Sequence, residues 1–287
     1  MNNTNRNKAV VVTGVSSGIG YATAEALIGK GYKVFGSVRK TADGERVAQA
    51  LGPAFTPLLF DVSDHAALPA AVAIVREAVG DCGLAGLVNN AGVAPMGPLM
   101  HTTADQMRAA FEVNVFGLLA VTQAFLPLLK PQDGSGYAPG RIVNLSSTSG
   151  GLVFPLVGLY SMTKYAVEAL SDGLRRELAI YGIKVSAIEP GPTKTPIWDK
   201  GLPRGKDSPY ASTDYAKAMG AVQDLMAKEL RKAKPVSSVT NAICHALEAP
   251  QPKTRYPLQA IWRIRHLLPD RALDRQMIAV AGLKSCS

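Results

Sequence analysis

The sequence predicts an α/β protein built as one doubly wound domain. Three observations predict it. Short apolar runs recur between residues 9 and 191, each is followed by a helical pattern, and the runs are continuously apolar rather than alternating. Strands of that kind are covered on both faces, and an intervening helix returns the chain to begin a parallel neighbour. No linker-like break interrupts the series, so one domain over 9–250 is preferred to two. The 287 residues, 47% hydrophobic and 18% charged, suffice for such a core and exclude a disordered tail.

The elements follow in order. "AVVVTG" (9–14) is the first strand, followed by the helical "GYATAEALIGKG". "KVFGSV" precedes "GERVAQAL", "FTPLLFD" precedes "HAALPAAVAIVREAV", and "LAGLVNN" precedes a long helical stretch to Leu129. "GRIVNLSS" (140–147), a helix from about Leu159 to Ala179, and "IKVSAIEPG" (183–191) complete the series. Residues 192–212, rich in Pro, Gly and charge, read as a long surface loop, and loops of that length commonly cover a binding site. Helical patterns at 213–233 and 236–250 come next. Residues 1–8 read as a disordered polar lead, 131–140 as a flexible connection and 251–287 as a basic amphipathic extension.

Composition narrows the function. Cys82, Cys244 and Cys286 are widely separated and the four histidines show no paired spacing, which argues against a disulfide framework or a metal site. No signal sequence is read at the start, and a cytoplasmic location is expected. The apolar run 113–129 carries Asn114, Thr122, Gln123 and Pro127, so it reads as a buried helix rather than a membrane span. Of the formal charge of +9, the segment 251–287 holds +5, with seven Lys and Arg against two Asp. No nucleic-acid recognition motif accompanies that charge, so nucleic acid is not an expected partner.

"TGVSSGIG" (13–20) follows an apolar strand and opens a helix, the context of a dinucleotide phosphate turn. Gly14 permits the turn, Gly18 lets backbone approach a pyrophosphate, and Gly20 allows close packing of helix on sheet. An NAD site places an acid at the end of the second strand, where this chain has Arg39 and Lys40. A guanidinium fork suits a 2′-phosphate, so NADP(H) is the expected cofactor. Further on, Tyr160 and Lys164 lie at i and i+4 on one helix face. An ammonium ~5 Å from a phenol at an effective dielectric of ~20 contributes about 3 kcal/mol, roughly two pK units toward the phenolate. Tyr165 lacks such a partner and reads as a packing residue.

"TGVSSGIG", "NNAG" (89–92), the Asn in "FEVNVFG", the Ser in "NLSSTSG", and "YSMTK" followed by "PGPTKT" stand in register over about two thirds of the chain. In these the sequence resembles the short-chain dehydrogenase/reductase family of Tyr-x-x-x-Lys type, in wording closest to its 17β-hydroxysteroid and retinol dehydrogenase-like branch. The resemblance implies a Rossmann-fold domain with a seven-stranded, mainly parallel sheet. It also implies hydride transfer between NADP(H) and a hydrophobic alcohol, ketone or aldehyde that is steroid-, retinoid- or lipid-like. A 3-oxoacyl reductase and a cofactor-binding regulator without turnover remain alternatives. The implied catalytic set is Asn114, Ser147, Tyr160 and Lys164, with Tyr160 the acid/base, Ser147 on the substrate oxygen, Asn114 holding a water, and Lys164 also on the nicotinamide ribose. Implied cofactor contacts are Gly14, Ser16, Ser17, Gly18, Ile19, Gly20, Arg39 and Lys40 at the phosphates; Asp61 and Val62 at the adenine; Asn90, Ala91 and Gly92 at the ribose; Pro190, Gly191, Thr193 and Thr195 at the nicotinamide; and Tyr160 and Lys164 themselves. A homodimer or homotetramer joined through the helices near 105–129 and 159–180 is also implied.

Substrate contacts in such a fold come from loops at the carboxyl ends of strands. Those loops are apolar here, with Met96, Phe154 and Trp198 offering bulk beside Ser147 and Tyr160, and a hydrophobic small molecule is expected. His101 follows one of them. The tail is read as docked on its own domain, with cover for the pocket, a partner subunit and a peripheral membrane contact as alternatives.

Overall fold

The computed structural model describes residues 8–131, 136–194, 205–259 and 269–283. Seven strands form one sheet in the order β3-β2-β1-β4-β5-β6-β7. They are β1 (Ala9–Val12), β2 (Lys33–Val38), β3 (Phe55–Leu59), β4 (Gly86–Asn89), β5 (Arg141–Leu145), β6 (Lys184–Glu189) and β7 (Arg255–Pro257). Every pairing is parallel. The helices between them are α1 (Gly18–Gly29), α2 (Thr41–Leu51), α3 (Leu68–Val79), α4 (Ala104–Phe111), α5 (Gly117–Leu129), α6 (Gly158–Glu177), α7 (Ala216–Arg231) and α8 (Ser237–Glu248), with α9 (Asp270–Val280) last. Because β7 joins the sheet, the domain runs past residue 250 into the segment expected to be an extension.

Alternation along each strand sends successive side chains to opposite faces, and both faces are covered. Phe35, Val11, Leu87, Ile142 and Val185 occupy one row across the sheet, register partner to register partner. They pack with Val75 of α3, Val121 and Phe125 of α5, and Leu174 of α6. The intervening residues Val10, Val12, Val34, Val88, Val143 and Ile188 face the other way, onto Leu27 of α1, Val47 of α2, and Ile243 and Leu247 of α8. Each such side chain, fully buried, contributes about 1.5–3 kcal/mol of transfer free energy. The span Ala104–Leu129 is long and apolar enough to cross a membrane by length and composition. In this fold its residues Val121, Phe125 and Leu129 are fully buried in the core against the sheet.

The order of the strands creates the site. From β1 the chain moves outward to β2 and β3, then crosses back to β4, so the loops after β1 and β4 leave in opposite directions. An open α/β sheet has its crevice at that reversal, at the carboxyl ends of the strands.

Candidate active site

The turn after β1 is shaped for an anion. Gly14 and Gly18 adopt φ of +71° and +61°, which a side chain resists. A Cβ at Gly20 would lie 2.2 Å from the Gly14 carbonyl oxygen and 2.5 Å from Asn90 Nδ2, so only glycine fits there. The close neighbour is thus the turn itself, where close packing of helix on sheet was expected. At the start of α1, Ser17 makes no side-chain cap and the first turn carries no acid, which suits an anion at this helix end. Ser16 and Ile19 lie partly exposed along it. These features fit a dinucleotide pyrophosphate.

Two residues brace this turn from β4. Thr13 Oγ1 accepts from the backbone N–H of Asn90 and of Ala91, both at 2.9 Å. Asn90 Nδ2 in turn donates to the carbonyls of Thr13 and Gly14 at 2.8 and 3.1 Å. The Asn90 side chain, expected at the cofactor ribose, is therefore spent on the turn. The role of Thr13 is not legible in the sequence, because it depends on the pairing of β1 with β4.

Beyond β2, Arg39 and Lys40 are exposed. Arg39 Nη1 stands 3.8 Å from Asp61 Oδ2, and Asp61 Oδ1 accepts from the Ser63 N–H and hydroxyl at 3.0 and 2.7 Å. Val62 beside it is buried. A third cation emerges from the fold: Arg46 of α2 donates to the Ser16 carbonyl at 2.7 Å and to Asp43 at 3.0 Å. Its sequence neighbourhood reads only as a solvated helix face.

The catalytic set gathers between β4, β5 and α6. Asn114 sits in a π-helical turn, Glu112–Phe116, that joins α4 to α5. Such turns redirect one side chain within a helix. The buried Asn114 accepts from Val93 N–H at 2.8 Å and donates to Val93 carbonyl and Thr163 Oγ1, both at 2.9 Å. Thr163 Oγ1 itself donates to the Tyr160 carbonyl at 2.7 Å. Asn114 thus ties the loop after β4 to the helix that carries the tyrosine. A Cβ at Gly92 would lie 3.0 Å from Asn114 Oδ1 and 3.9 Å from Lys164 Nζ, which places Gly92 at the same cluster. Ser147, buried at the end of β5, accepts from Ser149 N–H at 3.1 Å and hydrogen-bonds with Tyr160.

Protonation here differs from the expectation. Burial pushes the Tyr160 phenol above its ordinary value, opposed by the hydrogen bond with Ser147. Lys164 does not bring the phenol below its ordinary value: its Nζ lies 5.7 Å from the Tyr160 ring centroid and donates to the Leu145 carbonyl at 2.7 Å. Desolvation disfavours the phenolate and sets the upward direction of the shift, against the downward one that the i, i+4 spacing suggests. Lys164 is itself lowered by burial to about 8, with the Glu168 carboxylate pulling the other way. At neutral pH the pair is a protonated phenol beside an ammonium.

On the nicotinamide side, the Pro190 carbonyl accepts from Thr148 N–H at 2.9 Å and Thr193 Oγ1 donates to the Gly191 carbonyl at 2.9 Å. The Gln259 side chain lies against Gly191. Met96 and Leu156, in loops expected to meet substrate, belong to an apolar cluster with Tyr210, Met219 and Val222, on which Tyr215 also packs. Leu156 adopts φ of +64°, and its carbonyl accepts from Gly97 N–H at 2.8 Å, so two substrate loops are joined there. Phe154 is partly buried, and His101 stacks edge-on to Tyr215 at 5.7 Å. Thr195 and Trp198 lie outside the described residues. Tyr165, expected to be packing, is 44% exposed: one residue past Lys164, it points away from the core.

A family model described as short chain dehydrogenase matches residues 8–204. The NADPH-dependent 3-dehydrocapnine reductase of Ornithobacterium rhinotracheale is 42% identical over 92% of this chain and 94% of its own. Human retinol dehydrogenase 16 is 35% identical over 88% and 80%. A short-chain dehydrogenase from Streptomyces avermitilis superposes with a TM-score of 0.76 at 30% identity, covering 96% of this chain and 97% of its own.

Proposed function

The chain belongs to the short-chain dehydrogenase family, and from that premise we propose that it is an NADP(H)-dependent reductase of a hydrophobic, lipid-like ketone or aldehyde. The observation that carries this reading is the convergence of the half-buried Tyr160, its phenol held protonated, with Ser147 and Lys164 at the mouth of the dinucleotide crevice. NADP(H) held by the glycine turn, Arg39 and Lys164 would supply hydride for the carbonyl carbon. The Ser147 hydroxyl holds the carbonyl oxygen, and Tyr160 gives its proton to that oxygen as negative charge develops there. The Lys164 ammonium stabilises the phenolate left behind. Asn114 fixes the loop at Val93 and the backbone of Tyr160 against one another. Alcohol oxidation is the same sequence reversed.

The cofactor preference rests on Arg39, with the NADPH dependence of the 42%-identical relative in support. The substrate class rests on the apolar cluster around Leu156 and Met96, with exposed Leu99, Met100 and Val153 nearby in the same loops. Two relatives whose names refer to 3-dehydrocapnine and to retinol agree with a lipid-like substrate. The proposal extends to a cytoplasmic homo-oligomer joined through the outer faces of α5 and α6 and the turn before α5, where Phe116, Met162 and Tyr165 are exposed. Sedimentation of the full chain checks its size. The test of the activity is a panel of long-chain, steroid and retinoid ketones and aldehydes followed by NADPH absorbance. Turnover with at least one of them is expected. NADPH binding without oxidation across the panel contradicts an enzymatic role.

A further inference from the structure

α6 carries a second buried charge beyond Lys164. Glu168 follows one helical turn later, so the two side chains share a face, and the residues are 6% and 8% exposed. A carboxylate so placed needs a partner. Glu168 Oε2 accepts from Arg255 Nε of β7 at 2.9 Å, and Arg255 Nη2 reaches Asp172 Oδ1 at 2.9 Å. Glu168 Oε1 is buried with no hydrogen-bond partner. A Cβ at Gly150 would lie 3.0 Å from both the Lys164 carbonyl and Glu168 Cγ, and 2.8 Å from Ser146 Oγ. The turn after Ser147 therefore closes directly over this pair.

We propose that Glu168 is a positioning residue for the reaction: its buried carboxylate, anchored by Arg255, keeps the Lys164 ammonium charged although it is buried. The inference rests on the reductase reading above. The charged and titratable groups packed around the pair are Tyr160 and Asp172 on α6, Glu189 on β6 and Arg255 on β7. Asp172 is further held by Arg175 at 3.0 Å and Arg176 at 3.7 Å, and Glu189 Oε1 lies 3.5 Å from Arg255 Nε. Arg255 is thus shared among three carboxyls, Asp172 is balanced by Arg175 and Arg176, and Glu168 is the carboxylate one helical turn from Lys164. Low dielectric strengthens the attraction between those two charges and solvent does not screen it.

The direction of the effect follows. Lys164 loses its proton near about 8, where the ability to hold the nicotinamide ribose and to stabilise phenolate is lost. Without the Glu168 charge, burial acts unopposed and the loss begins nearer neutrality. The test uses the full chain with Glu168→Gln, Arg255→Gln and Asp172→Asn, measuring both NADPH affinity by fluorescence and kcat/KM against pH. For Glu168→Gln the alkaline limb of both profiles is expected to fall by ~1 pH unit, with about fivefold lower kcat/KM at pH 8 and a value within about twofold of the parent at pH 6. Arg255→Gln, which frees the carboxylate from its competing cation, is expected to move the limb upward. Glu168→Asp, which keeps the charge, restores the parent limb, and Asp172→Asn leaves it in place. An unmoved limb in folded Glu168→Gln overturns the inference. Where that variant does not fold, an unmoved limb in Arg255→Gln overturns it instead. A parent chain that reduces no ketone removes the functional reading, while the NADPH affinity profile still decides the role of Glu168.

Discussion

At the β1–β2 end of the crevice the charged groups stand in solvent: the side chains of Arg39 and Arg46 are 66% and 55% exposed. At the β5–β7 end they are buried, with Lys164, Glu168 and Glu189 at 6%, 8% and 0%. One sheet therefore presents two electrostatic environments across its switch point. Exposed cations are screened by salt and are replaced at little structural cost. Buried ones shift protonation, and their removal leaves partners unpaired. On the proposed reading, cofactor choice sits where charge is cheap to change, and proton transfer sits where it is not.

The comparison is tested most severely at Lys164. Lys164→Ala is expected to lower kcat/KM by ~10³-fold or more and to weaken NADPH binding as well, because one ammonium serves both. Steady-state kinetics and fluorescence titration check the two losses separately. Gly20→Ala comes next: the new methyl meets the Gly14 carbonyl and Asn90. Overpacking there is expected to cost about 1–3 kcal/mol, read as a lower Tm, together with at least ~10-fold weaker NADPH binding. Arg39→Asp is expected to reverse the preference between NADPH and NADH by ~10–100-fold with little change in Tm. The parent's preference should shrink as ionic strength rises, as it must for a solvent-exposed cation. Equal NADPH and NADH affinities in the parent would remove Arg39 from its assigned role.

Asp172→Asn is expected to have the smallest effect, about 1 kcal/mol, since the side chain is 26% exposed. Its sign with pH is definite. Although burial works the other way, hydrogen bonds from Arg255 and Arg175 hold the Asp172 carboxyl below its ordinary value of 3.8. Its stabilising contribution is therefore present above that value and is lost as pH falls through the lower native one. Thermal melts of the parent should lose stability below about pH 4 more steeply than those of Asp172→Asn.

The sequence makes the fold legible where apolar runs are long. Six strands and the helices between them follow from runs such as "AVVV" and "RIVNL", each backed by a covered face. β7 escapes because it is only three residues, Arg255–Pro257, one of them proline, and its place depends on Ala187, Ile188 and Glu189 as partners. The candidate catalytic set is legible through motif order, and the structure brings Ser147, Tyr160 and Lys164 together. What the sequence hides is tertiary. Arg46 reaches Ser16 only because α2 packs beside the glycine turn. The π-helical turn at Asn114 has no local signature. The phenol's upward shift required knowing how deeply it is enclosed, which periodicity does not report.

The central claim is that Tyr160 delivers the proton and does nothing essential for holding the cofactor. Tyr160→Phe removes only the hydroxyl, and the direct measurement is single-turnover oxidation of bound NADPH by a ketone substrate, alongside NADPH affinity. The account expects affinity within about twofold of the parent and transfer slowed by ~10³-fold. Transfer at the parent rate in Tyr160→Phe, with NADPH bound equally well, would contradict it.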